Sequence, residues 1–359
     1  QRKAKVYMGF DYQSFLNDKI FEELNKIKAF SPEVVEQEAA ARKKPGFPHD
    51  KLVFAAADHN ARMINEYKGN PIGLSNRREY LSRLVRMLQS DQIDGIEATP
   101  DIIEDLFILN KLQRERGEKA FLDGKMLVGT VNRGGLKNTV WEMDDMPSCY
   151  TVDRLVKLRM DGVKFMIRLN PMDERSKYTV RYCAEAVNAA ESAGLPIFIE
   201  ALYVETTETG FTMKTDSESL CKVVGVVGAL GCRASGKWIE VPLNHEYAVP
   251  TAATTCPVLV VPDEVKSEPI EVVEEYTKEI GISSNIRGIL LGRNVMYNES
   301  DPLPIAEAIA DIWHKGGNAE ENYKRCVEKI IKKTRAYQVT GHVCVNSNYI
   351  RNGYIQKSN

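Results

Sequence analysis

Several charged residues interrupt apolar runs where a folded chain should bury little but carbon. In VKFMIRL (163–169), Lys164, Met166 and Arg168 fall on one face of a two-residue period, and Asn170 continues it. A strand covered on both sides is almost wholly apolar, so two cations on one face need a chemical reason. A lysine in a low-dielectric site loses its proton readily and can form a Schiff base with a carbonyl. It can equally bind phosphate or pair with a carboxylate. In PIFIEAL (196–202) the lone carboxylate is Glu200. A buried charge must be paired, and Lys164 or Arg168 is its natural match, either for proton transfer or as a structural ion pair.

Other candidates sit at the ends of similar runs. LVFAAAD (52–58) ends in Asp58, a possible acid, base or orienting group; the plain alternative is a turn-capping Asp. Asn132, Arg133, Gly134 and Gly135 follow KMLVGTV (125–131), a combination suited to close approach of an anionic or hydroxylated ligand, or to a tight turn with an exposed Arg. In KWIEVPL (237–243), Trp238 and Glu240 share one face and Lys237 and Ile239 the other; which face is inward is left open. RGILLG (287–292) ends in Gly292 and Arg293, ahead of a helix start near Asp301 and Pro302, the form of a phosphate site after a last barrel strand. The five histidines show no HxH or HExxH spacing, so no catalytic metal is expected. There is no GxGxxG after the first run, no P-loop and no GxSxG, and no cofactor is expected.

The elements that must position these residues follow from the spacing of the runs. Eight short apolar runs, 52–58, 94–99, 125–131, 163–169, 196–202, 237–243, 257–262 and 287–292, are mostly separated by stretches of helical period. Helices between buried strands imply a parallel sheet. Eight such units fit a single closed (β/α)8 TIM barrel better than an open sheet, and reacting groups in that fold gather at the C-terminal strand ends. The expected division is an N-terminal helical extension (1–50), with Leu16, Ile20, Leu24 and Ile27 as its apolar stripe, the barrel (51–317), and a charged C-terminal helix and polar tail (318–359). That tail, NSNYIRNGYIQKSN, is a candidate mobile or oligomer-forming segment, and a homo-oligomer is the expected assembly.

The chain has 359 residues, 43% of them hydrophobic, and a formal net charge of −2. Nothing in that balance marks a nucleic-acid partner. No apolar run is long enough to span a membrane, and the N-terminus has no apolar core of signal-peptide length. Seven cysteines, none in a CxxC pair, fit a reducing cytoplasm.

The stretches AAADHNAR, DGIEATPDIIEDL, TVNRGGLKNTVWEMDD, DGVKFMIRLNP, LPIFIEALYVE, KWIEVPLN and RGILLGRN together resemble the class I aldolases of the deoxyribose-phosphate, tagatose-bisphosphate and sulfofructose-phosphate group. The nearest look is to a little-characterised barrel subgroup, some of whose members lie among inositol-catabolism genes. The resemblance runs from about Leu52 to Trp313, and NRGGL…WEMDD is its most specific part. It implies carbon–carbon bond cleavage through a lysine Schiff base on a small sugar-phosphate-like substrate. By resemblance Asp58 is the first-strand carboxylate, Lys164 the fourth-strand lysine, Glu200 the fifth-strand glutamate, and Gly292-Arg293 the anion site. In tagatose-bisphosphate aldolases the lysine stands two positions before the Glu of an E-V-P run. Here Trp238 occupies that position, and Asp263-Glu264 stand where the group has a small anion-binding turn. Lys164 is therefore the first choice for the nucleophile and Lys237 the second. Glu200, Asp58 and Glu240 are the acid–base candidates, and Asn132, Arg133, Arg168, Trp238, Gly292 and Arg293 the substrate-binding ones. The competing readings are a sugar-phosphate isomerase or epimerase with no covalent intermediate, and a non-catalytic sugar-phosphate-binding barrel.

Overall fold

The computed structural model describes residues 9–208 and 210–339, with side chains as far as residue 332. Three helices, α1 (Tyr12–Phe15), α2 (Asp18–Phe30) and α3 (Val34–Ala41), lead into the chain. Then follow β1 (Leu52–Ala57), α4 (Arg77–Leu88), β2 (Gly95–Ala98), α5 (Pro100–Glu115), β3 (Met126–Thr130), α6 (Val152–Lys157), β4 (Gly162–Leu169) and α7 (Ser176–Ser192). The remainder is β5 (Ile197–Thr207), β6 (Gly210–Lys214), α8 (Ser217–Ala229), β7 (Lys237–Pro242), α9 (Ala248–Ala252), β8 (Val258–Val261), α10 (Pro269–Glu275), β9 (Ile286–Leu291), α11 (Arg293–Met296), α12 (Pro302–Lys315) and α13 (Ala319–Val339). The polar tail and Cys344 lie outside the described residues.

Eight parallel strands close in the order β4-β3-β2-β1-β9-β8-β7-β5, and β4 pairs with β5 to complete the ring. Each of the eight apolar runs read from the sequence is one of these strands, so the chain forms a single (β/α)8 barrel. The added element is β6, which pairs antiparallel with the far end of β5 as a hairpin over the barrel mouth. Nothing in YVETTETGFTMK separates that hairpin from an ordinary loop at the level of periodicity.

The barrel wall alternates as a pleated strand must. Outward residues such as Val53, Ala55, Val163 and Ile199 pack under the helices. Inward residues Leu52, Phe54, Met126, Val128, Phe198, Leu259 and Leu290 fill the floor, with Trp238 packed against them. Ile20, Leu24 and Ile27 of α2 are buried, as their spacing predicts. The linker after α3 is fastened to the barrel base by His49 Nδ1 and His314 Nε2, which reach the two oxygens of the buried Asp94 at 2.6 and 2.9 Å. The two imidazoles stack 3.8 Å apart and 18° from parallel. Together the three residues form a hydrogen-bonded clasp.

Candidate active site

Above the apolar floor the inner wall turns polar. Barrel side chains stack in layers contributed by alternate strands, and one such layer carries Glu97 from β2, Lys164 from β4 and Glu240 from β7. The Lys164 ammonium is 3.0 Å from Glu97 Oε2, 3.2 Å from Glu200 Oε2, and in direct contact with Glu240 Oε2. Lys164, Glu97 and Glu240 are buried, while Glu200 keeps 16% of its side chain exposed toward the cavity.

These neighbours set the protonation states. Burial disfavours the charged amine, but Glu240, Glu97 and Glu200 outweigh it and hold Lys164 well above its ordinary value, as an ammonium. Burial, then the proximity of Glu97, push Glu240 well above the ordinary carboxylate range despite Lys164. For Glu200, burial acts upward, but Lys164 and Arg133 overcome it and keep the carboxyl below its usual value. The sequence leaves the net state of Lys164 open, with burial and a neighbouring cation set against Glu200, and the structure resolves it toward the ammonium. The cation beside it, Arg168, counts for less than three carboxylates in contact.

A cavity of about 310 Å³ opens above Lys164 and Glu200 at the C-terminal mouth. Asp58, just beyond β1, is paired with Arg133, and both face it. The short turn after β1, Asn60–Arg62, aims Arg62 at Gly135 O, 2.7 Å away, and at Asp145. Arg168 reaches Asp145 at 3.3 Å and Glu142 at 3.7 Å. Burial and the Arg62 charge bring Arg168 down to about 10 against the pull of Asp145. Gly135 allows the loop to close, since a Cβ there would lie 2.2 Å from Glu142 O. Across the cavity Arg293 meets Asp263 at 3.1 Å. Next to it His59 is held down to about 3 by burial and by Arg293, so it is a neutral imidazole, and its Nδ1 is buried with no protein partner. Phe211 and Met213 of β6 close one side.

The sequence-predicted residues therefore divide. Lys164, Glu200, Asp58, Arg133, Arg168, Gly292 and Arg293 line one cavity. Glu240 lies beneath Lys164 rather than on the cavity surface. Lys237 is turned out of the barrel and donates to the carbonyls of Val227, Gly228 and Leu230 at 3.0, 3.0 and 2.6 Å, capping the end of α8. Trp238 faces inward, as Glu240 does, but one layer lower, stacked between Phe198 and Phe47 at 5.6 and 5.8 Å. Asn132 is spent on the backbone, donating to Met166 O at 2.7 Å and accepting from Met166 N at 2.9 Å. Sequence reasoning passed over Glu97, His59, Arg62, Glu142 and Asp145. Glu97 carries the same signal as Glu200, a lone carboxylate in an apolar run. The others stand in loops where no period applies.

Replacing Lys237 by Met is expected to leave any cavity chemistry unchanged while lowering stability by about 1–3 kcal/mol, the cost of leaving buried carbonyls without a donor. Thermal unfolding beside a turnover assay checks both halves, and lost turnover in a folded variant would put Lys237 back in the site.

A family model described as Cgl0159-like matches residues 50–311. The crystal structure of Cgl0159 from Corynebacterium glutamicum (Brevibacterium flavum) is 29% identical, covering 83% of this chain and 98% of that one, with a TM-score of 0.76. A fructose-bisphosphate aldolase from Slackia heliotrinireducens is 13% identical with a TM-score of 0.57, over 88% of this chain and 93% of the other. An archaeal fructose-1,6-bisphosphate aldolase, solved with its catalytic Lys covalently bound to the carbinolamine intermediate, is 16% identical with a TM-score of 0.52, over 78% and 99%. These two share the barrel fold. No curated protein matches the chain. The family model spans well over half of the chain and takes in every strand of the barrel: the chain belongs to the Cgl0159-like family.

Proposed function

We propose that the protein is an aldolase-type carbon–carbon lyase acting on a small, sugar-derived carbonyl compound through a Schiff base on Lys164. The observation that carries this reading is the placement of Lys164 at the cavity floor with Glu200 3.2 Å from its nitrogen. Nucleophilic attack requires the neutral amine. Lys164 would pass one proton to Glu200, whose carboxyl is held ionised, add to the substrate carbonyl carbon, and lose water from the carbinolamine to give an iminium. The iminium is again a cation in the same cage, so the carboxylates that stabilise the ammonium also stabilise the intermediate. Glu200, the member of the cage open to the cavity, is suited to take the proton of the substrate hydroxyl as the carbon–carbon bond breaks. Asp58, held by Arg133, orients hydroxyls. The bound-lysine aldolase among the fold neighbours supports the reading at the level of architecture. The six cysteines among the described residues are all free, which supports a reducing, cytoplasmic setting.

One observation favours a second reading. An ammonium fixed by three carboxylates can stabilise an enediolate without forming a covalent bond, and Glu200 would then serve an isomerase or epimerase as base. Borohydride reduction in the presence of a carbonyl substrate, followed by peptide mapping, separates the two. The lyase reading expects label on the peptide containing Lys164, and turnover without label anywhere would overturn it.

Proton transfer inside the cage gives the labelling a distinctive pH profile. Because Lys164 hands its proton to Glu200 and not to solvent, the reactive amine has the same total number of protons as the resting cage. The rate at which the imine forms is therefore expected to stay flat, within about twofold, from pH 7 to pH 9. A climb of about tenfold per pH unit would mean that the proton is lost to solvent, contrary to transfer within the cage.

A further inference from the structure

The charges lining the cavity are not equally available to a ligand. At the end walled by β3, β4 and the turn after β1, every guanidinium already has a carboxylate partner. Arg133 holds Asp58, with 3% and 12% of the side chains exposed. Arg62 holds Asp145, with 1% and 0% exposed. Arg168 is shared between Asp145 and Glu142, both nearly inaccessible. The carboxylates are fixed in turn, since Asp145 accepts from Gly135 N at 3.2 Å and Glu142 from Asn138 N at 2.8 Å. The remaining cation there, Lys137, sits at the rim 3.6 Å from Glu142. Three arginines thus face three carboxylates in a dry wall. A dianion placed against it would approach Asp58, Asp145 and Glu142, and the one cation in excess, Lys137, lies at the rim with 40% of its side chain in solvent.

The opposite end differs. Arg293 meets Asp263 at 3.1 Å, but 66% of the Asp263 side chain is exposed. An exposed pair of this kind is weak, and Asp263 can swing into solvent when a better acceptor arrives. Its neighbour Glu264 is already paired with Lys266. His59 Nδ1, buried and without a protein partner, adds an uncommitted polar atom on this side.

We infer that the cavity takes a substrate with one anionic end, docked at Arg293, and that the end walled by Arg62, Arg133 and Arg168 receives an uncharged, hydroxylated group and refuses a second phosphate. This rests on the reading of the cavity as a carbonyl-substrate site. The paired wall is well made for hydroxyls, because each ion pair offers a donor and an acceptor side by side. The bisphosphate named for two of the fold neighbours is thereby set apart from the substrate class of this protein.

Titration calorimetry on the full chain with four probes tests the inference: dihydroxyacetone, dihydroxyacetone phosphate, fructose 6-phosphate and fructose 1,6-bisphosphate. The first phosphate is expected to tighten binding about tenfold or more, the value of a charge-assisted contact. The second is expected to add less than about twofold, or to weaken binding. Arg293→Ala should reduce the gain from the first phosphate to about twofold, and Asp263→Asn should tighten dihydroxyacetone phosphate several-fold by removing a competitor for Arg293. A bisphosphate bound tenfold more tightly than the monophosphate overturns the inference. So does a first-phosphate gain that survives Arg293→Ala, or a failure of both monophosphates to bind. Calorimetry needs no covalent bond, so its outcome is separable from the Schiff-base reading. Missing borohydride label with this affinity order intact removes the lysine chemistry alone, and label with the order reversed removes the charge assignment alone.

Discussion

Lys164→Met is expected to lose turnover by on the order of 10⁴-fold or more, as the removal of a nucleophile does, and to become progressively less stable as pH rises. The second effect follows from what the substitution leaves behind. Glu97, Glu200 and Glu240 all approach one nitrogen, and Glu97 and Glu240 are buried. Without the ammonium their carboxyls crowd one another in a dry site, and each is pushed toward the protonated form. A carboxyl whose folded pKa is raised favours folding at low pH, and that contribution is lost as pH climbs from the ordinary carboxylate range through the raised value. Breaking a buried pair by removing one partner costs about 3–5 kcal/mol, so the deficit against wild type should approach that size near pH 8 and shrink near pH 5. The native lysine adds no slope of its own there, because a raised amine keeps its full contribution below its ordinary value of 10.5 and loses it only above that. Thermal unfolding of both proteins at the two pH values reads the difference. Equal deficits at both would deny the shared cage, and preserved turnover would deny the nucleophile.

The barrel itself was legible because each strand is a short apolar run and each helix a change of period. That Lys164 points into the barrel and Lys237 out of it was legible for a related reason. Alternation sets Trp238 and Glu240 on one face and Lys237 on the other, and the closed barrel makes the first face the inside. Depth was not legible. Period two tells which way a side chain points but not which layer it joins, and the layer depends on the stagger between strands. Trp238 pairs in register with Phe198, and Glu240 with Glu200. The tryptophan therefore belongs to the apolar floor and the glutamate to the polar layer above it.

Loop chemistry was hidden for a different reason. The WEMDD stretch carried the resemblance to aldolases, yet it offered no role for its acids. Glu142 and Asp145 acquire one when a tight loop folds back at Gly135 and lays them against Arg62 and Arg168, residues 23 or more positions away in sequence. The same long-range pairing changes what Arg133 and Asp58 can do. Read singly, one was a cation for an anion and the other a free base; together they form a neutral, hydroxyl-reading pair.

Glu240→Gln should raise stability and leave turnover nearly unchanged. Glu240 is fully buried, touches Lys164, and is kept protonated mainly by burial and by Glu97. A carboxyl that is already protonated cannot take the proton that Lys164 must release before attack; that proton goes to Glu200, whose carboxyl is held ionised, while Glu240 accepts a hydrogen bond from Lys164 and holds its nitrogen in place. An amide of the same shape and charge keeps that hydrogen bond, so turnover should stay within about tenfold. Stability should rise. At neutral pH the unfolded chain carries an ionised Glu240 that must take up a proton to fold, and this cost grows as pH rises above the ordinary value of 4.5. Gln carries no such cost. The variant should therefore match wild type near pH 4 and exceed it increasingly toward pH 8, in thermal or denaturant unfolding. A variant less stable than wild type at pH 8 would mean that Glu240 is ionised in the folded protein, with Lys164 and Glu240 a conventional ion pair. A loss of turnover of about 10²-fold or more would mean that Glu240 itself takes the proton from Lys164 and is therefore ionised in the resting protein.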